Sequence, residues 1–209
     1  MKSYVHLVML AIAMIGHVLA QTPAGWRERA DRSTSAIDPD AGGAIKFVTM
    51  GTGFHATNPQ AAVYWNPANT VTGTYTLKGT FTLMKPSGHT NYYGLVFGGS
   101  DLEGAQQKYL YFMVAQDGTW LVKRRDGSAT NELSRSPSEA VKKPDAGGKS
   151  TNALEVRVGA DKVDFAVNGV VVHSIPKGST GGSTDGIYGI RINHLLEVHI
   201  DAFGASKQQ

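Results

Sequence analysis

YLYFMVAQDGTWLVKRR, residues 109–125, decides the fold. Two apolar runs of strand-type composition flank Asp117-Gly118. Such a pair supplies the positive φ angles of a type I′ turn, whose twist matches that of paired strands. Asp126-Gly127 and Asn168-Gly169 repeat the signal between further apolar runs. Together the three corners predict an all-β antiparallel domain.

Read as a two-residue turn, Asp117-Gly118 places Ala115 opposite Trp120, Met113 opposite Val122 and Tyr111 opposite Arg124. Large apolar groups then occupy both sides of the hairpin, as in a central strand. Leu110, Phe112, Val114 and Leu121 suit a core. Tyr109, Tyr111, Trp120 and Arg124 become an outer face on which a sugar ring can stack, with Arg191 and Asn193 as polar neighbours. The reverse assignment makes the three aromatics core. Trp65 is a second candidate platform, or packs beneath a turn closed by Pro67.

Outward from this hairpin the strand signals come in quick succession. Over Thr72–Met84, Tyr75, Leu77, Gly79, Phe81 and Leu83 share one parity, and Thr74, Thr76, Lys78, Thr80 and Thr82 the other. That is a half-buried strand with a polar outer face. Ten or more such short strands predict a two-sheet sandwich or jelly roll over 44–205. Ser134–Ser150 and Gly178–Gly186 read as long polar loops, the first with room for a helical turn after Ser136-Pro137. Residues 21–43 read as a polar arm anchored by Trp26.

Met1–Ala20 has the form of a secretory signal peptide, with Lys2 before a mostly apolar run and Val18-Leu19-Ala20 before the cut. The expected location is secreted or periplasmic, with no stable membrane insertion after cleavage. Without Lys2, 19 basic residues face 17 acidic ones, too slight an excess to imply nucleic acid. The chain has no cysteine, hence no disulfide and no thiol nucleophile. Its length supports a core without such staples.

The residues Tyr93-Gly94-Leu95-Val96-Phe97-Gly98-Gly99, Tyr109–Val114, Gln116-Asp117-Gly118, Asn152–Val158, Val167-Asn168-Gly169 and Gly186–Ile190 resemble the concanavalin A-like lectin/glucanase superfamily. The likeness is to its laminin G-like and 3-keto-disaccharide-hydrolase-like bacterial branch, over roughly residues 50–203. The resemblance implies a concanavalin A-like jelly roll with a glycan or polysaccharide as partner. Its matching positions are strands and turns, so no catalytic residue carries over.

Glucanases of that superfamily carry Glu-x-Asp-x-Glu on one strand. Here Glu197-Val198-His199-Ile200-Asp201 comes nearest, and alternation puts Glu197, His199 and Asp201 on one face. Two flanking carboxylates are what glycoside hydrolysis needs, so Glu197 and Asp201 are the catalytic candidates. The plainer reading is the polar face of a final strand. Gly-x-Ser-x-Gly is absent, and no glycine-rich loop leads into a helix. The histidines show no metal-binding spacing. No cofactor is expected beyond a structural calcium, for which Asp101 and Glu103 are the oxygen donors. The leading function is a non-catalytic glycan-binding or surface-interaction module. A glycoside-active hydrolase and a structural assembly protein are the alternatives.

Overall fold

Alternation is honoured most clearly in Tyr75–Lys85, where Tyr75, Leu77, Phe81 and Leu83 are buried and Thr76, Lys78, Thr80 and Thr82 face outward. The computed structural model describes residues 22–207. The expected signal peptide, Met1–Ala20, lies outside the described residues. The described chain forms fourteen strands and one short 3₁₀ turn. They are β1 (Arg27–Asp31), β2 (Lys46–Met50), β3 (Gly53–Asn58), β4 (Ala61–Val71), β5 (Tyr75–Lys85), β6 (Tyr92–Ser100) and β7 (Lys108–Ala115). Then come β8 (Thr119–Asp126), β9 (Ala129–Pro137), β10 (Ser150–Val158), β11 (Lys162–Val167), β12 (Val170–Pro176), β13 (Gly186–Ile192) and β14 (Leu196–Lys207).

Two seven-stranded antiparallel sheets result, ordered β1-β4-β13-β6-β7-β8-β9 and β12-β11-β10-β5-β14-β3-β2. The all-β sandwich expected from the corner residues is therefore what the chain forms. Tyr64, Tyr93, Phe112, Trp120 and Ile190 of the first sheet meet Phe47, Phe81, Leu154, Phe165 and Val198 of the second in one core. The outer face of the first sheet carries a separate apolar cluster that includes Val63, Trp65, Val96, Leu102, Tyr109, Tyr111 and Met113.

The hairpin register differs from expectation by one residue. Val114 stands opposite Trp120, Phe112 opposite Val122 and Leu110 opposite Arg124. The connection is a three-residue loop, closed by the Gly118 N–H donating to the Ala115 carbonyl at 3.2 Å, with Gly118 at φ 89°. A positive φ on the glycine after a tight turn is the geometry of a bulged three-residue hairpin. Since side chains alternate, the slip moves Trp120 to the core face and leaves Tyr109 and Tyr111 on the other. Asn168-Gly169 does form the expected two-residue corner, with φ of 51° and 84°. At the third corner the loop is Gly127-Ser128, with Asp126 already paired to Ala129.

Two further segments depart from the sequence reading. Within the polar arm, Arg27–Asp31 pairs with β4 as an edge strand. Its Trp26 is anchored as expected, with ring centroids 4.6 Å from Phe54 and 5.2 Å from Phe47. The polar stretch beginning at Ser134 continues β9 to Pro137, Ser136 pairing with Trp120 rather than capping a helix. Val141 then drops into the core.

Candidate functional site

Burial removes the open aromatic platform that the sequence predicted. Trp120 packs in the core, 5.0 Å from His173 and nearly parallel to it. Trp65, Tyr109 and Tyr111 share the outer face of the first sheet, yet each is at most 5% exposed. Leu102 folds over this face against Gly99. Arginines of β1 pin the loop that carries it: Arg29 donates to the Leu102 and Gly104 carbonyls, and Arg27 pairs with Glu103. Arg124, displaced to the opposite parity from Tyr109, donates to the Gly181 carbonyl. It still borders a small cavity, about 220 Å³, with Tyr109 and Arg125.

Arg191 organises what the closed face contains. Its Nη1 donates to Asp31 Oδ2 at 2.6 Å and to the Tyr109 hydroxyl at 2.9 Å. Its guanidinium lies 5.4 Å from the Tyr111 ring centre, within cation–π range. Arg125 Nη2 reaches the other oxygen of Asp31 at 3.5 Å. Burial alone would raise the Asp31 carboxyl, but Arg191, then Arg125 and Arg29, hold it below its ordinary value. Burial pushes the Tyr111 phenol up to about 12, against the opposing pull of Arg191.

Arg191 leads along β13 to a polar cavity of about 170 Å³ at one end of the sandwich. Asp31, Asp38, Asn91, Arg191, Asn193 and His194 line it. The β13–β14 turn presents Asn193 and His194. Asn193 donates from its backbone to the Tyr92 carbonyl at 2.9 Å, and its side chain reaches Asn91 Oδ1 at 3.5 Å. The β5–β6 loop presents His89 and Asn91, braced by Gln116 Nε2 donating to the His89 carbonyl at 2.6 Å. The arm after β1 presents Asp38 and Asp40.

Here three donor atoms converge. His89 Nε2 and His194 Nε2 lie 3.0 and 3.2 Å from Asp38 Oδ1, and 3.2 Å from each other. Among the described residues this is the group of His, Asp and Glu whose spacing suits a metal ion. The two histidines are 105 positions apart, so no local spacing could reveal them. The legible hint was positional: each sits in a short polar connection between strands, where side chains from distant segments meet.

Glu197 and Asp201 do share the outer face of the second sheet, as alternation requires. They border a shallow cavity of about 560 Å³. Glu197 Oε1 lies 3.1 Å from His55 Nε2, and Asp201 Oδ2 lies 3.1 Å from His199 Nε2. His55 and His199 are directly opposite on neighbouring strands. Asp101 accepts a hydrogen bond from the Gln106 N–H at 3.1 Å, and Glu103 is held by Arg27.

No family model matches the chain, and no curated protein matches it in sequence. Solved structures do match. A carbohydrate-binding module, CBM66 from Bacillus subtilis, superposes with a TM-score of 0.63 at 9% identity, over 90% of this chain and all of that one. A Bacillus subtilis protein of unknown function with a galectin-like fold gives 0.60 at 13% identity, over 87% and 89%. The Emp46p carbohydrate recognition domain gives 0.52 at 9% identity, over 84% and 87%.

Proposed function

We propose, from the concanavalin A-like jelly-roll fold that this chain has, that it is an exported, non-catalytic glycan-binding module. Its contacts are assigned to the polar cavity at the β13–β14 end. The observation that carries this reading is the convergence of Arg191, Asn193, Asn91 and Asp31 on one small cavity, each side chain braced by another. Fixed amide and guanidinium donors beside a carboxylate acceptor are what vicinal hydroxyls require, and prior bracing lowers the ordering cost of binding. Two of the superposing structures are themselves a carbohydrate-binding module and a carbohydrate recognition domain. Export rests on the form of Met1–Ala20.

A hydrolytic role for Glu197 and Asp201 fits less well. The residue midway between them, an aspartate in the glucanase pattern, is His199 here. Each is also engaged by a neighbouring imidazole.

Titration calorimetry against a panel of oligosaccharides tests the proposal, with Asn193→Ala as the probe. Loss of glycan affinity at an unchanged melting temperature is expected. Undiminished affinity in that variant removes the assigned cavity. Turnover of any glycoside that disappears in Glu197→Gln overturns the non-catalytic reading.

A further inference from the structure

We infer that His89, His194 and Asp38 form a binding site for a divalent first-row transition metal of the Zn²⁺ type. Geometry carries the argument. His89 Nε2, His194 Nε2 and Asp38 Oδ1, one ligand atom from each of three separate segments, stand 3.0–3.2 Å from one another. His194 Nδ1 lies 3.0 Å from Asp40 Oδ1, which holds the ring with its Nε2 toward the other two. A cation seated among the three would take all of them as ligands.

The spacing fits. A metal about 2.1 Å from each donor would subtend roughly 95° between them, leaving positions open on the far side. Two imidazoles and one carboxylate suit Zn²⁺ and its neighbours, while Ca²⁺ takes oxygen donors. The surroundings match too. Asp40 against His194 Nδ1 is the carboxylate–histidine pair that orients a metal-bound imidazole. Asp40 is itself held by the Ser33 N–H at 2.8 Å. Asn91 Nδ2, 3.0 Å from His89 Nε2, also has Ser87 Oγ at 3.2 Å as an acceptor, so an ion on His89 Nε2 does not leave the amide without a partner. Asp38 and His89 are each nearly half exposed, which gives the ion a path from solvent. Its effect would be to staple the arm after β1, the β5–β6 loop and the β13–β14 turn together in the wall of the polar cavity, which Asp38 and His194 also line. The inference does not need that cavity to bind a sugar.

Titration calorimetry of the metal-stripped protein with Zn²⁺ alone, and with Ca²⁺ alone, is the test. One Zn²⁺ per chain and a raised melting temperature are expected, with no response to Ca²⁺. His89→Ala and Asp38→Asn change half-exposed side chains and should keep the fold while abolishing the Zn²⁺ isotherm. Asp40→Asn should weaken it about 10-fold or more. The pair His55→Ala and His199→Ala should leave it untouched. Absence of saturable Zn²⁺ binding, or binding that survives His89→Ala and Asp38→Asn, overturns the site. Equal affinity for Ca²⁺ overturns the metal class. Sugar affinity, followed separately through Asn193→Ala, can fail without affecting any of these outcomes.

Discussion

Asp31 on β1 and Arg125 on β8 meet at 3.5 Å although their strands stand first and sixth in the same sheet. Five inter-strand steps in a flat sheet would span about 24 Å, beyond the combined reach of the two side chains. The sheet therefore curls until its edge strand faces its sixth, closing the outer face over Tyr109, Tyr111 and Trp65.

Asp31→Asn should release this closure. It leaves Arg191, with a side chain only 11% exposed, facing a neutral amide. Removing one partner of a largely buried pair costs about 3 kcal/mol, which urea denaturation at neutral pH would register. The pH dependence follows from the depressed carboxyl. Because its folded value lies below the ordinary 3.8, its stabilisation is complete above that pH and is lost as pH falls through the folded value. The variant should show a shallower acid limb. An Asp31→Asn protein with wild-type stability and a wild-type acid limb would refute the closure.

Trp120→Ala should unfold the protein rather than merely weaken a ligand contact. The indole is 3% exposed in the core, and deleting a buried large aromatic costs about 3–5 kcal/mol. Trp120→Phe, which keeps most of the packing, should retain both fold and any glycan affinity. A stable, well-folded Trp120→Ala that has lost only binding would restore the exposed platform.

How the sequence came to misplace this residue is a matter of one loop position. Alternation along Tyr75–Lys85 was legible because one strand's two faces differ sharply in polarity. Residues 109–125 are apolar on both faces, so polarity could not fix which side was core. The register then rested on turn length alone, and Gln116 joining the loop inverted Trp120. Arg191 and Asn193 were legible as polar neighbours at the end of a strand. Asp31, His89 and His194 were not, because their meaning comes from segments brought together only by folding. The edge strand Arg27–Asp31 escaped notice for a related reason. Its Arg, Glu and Asp side chains carry no apolar period, and it exists because Trp26 docks on Phe47 and Phe54 and draws the backbone against β4.

His173 should give stability a second pH dependence, of opposite chemistry to that of Asp31. Its ring stacks with both Trp120 and Phe165, at 5.0 and 6.1 Å between ring centres, and burial lowers its pKa from the ordinary 6.5. Folding thus favours the neutral ring. The stability this ring supports is complete above pH 6.5 and drains as pH falls through the folded value. Melting temperatures between pH 8 and pH 5 should decline in the wild type and decline less in His173→Phe. Parallel curves for the two proteins would show that the ring is not felt in this way.

Arg191→Lys separates charge from shape at the centre of the closed face. One guanidinium nitrogen serves both Asp31 and the Tyr109 hydroxyl, and the planar group lies over Tyr111. An ammonium keeps the attraction to Asp31 but has no planar fork and no extended face. Loss of one charge-assisted hydrogen bond is worth about 1.5–3 kcal/mol, smaller than or comparable with the effect of Asp31→Asn. The variant should fold, melt lower than the wild type, and bind whichever oligosaccharide of the panel the wild type takes more weakly than its stability loss explains. Asn193→Ala at the same cavity should weaken binding without lowering the melting temperature. If Arg191→Lys melts and binds like the wild type, only the charge matters there, and the side chain's planar geometry has no part in closing the face or shaping the cavity.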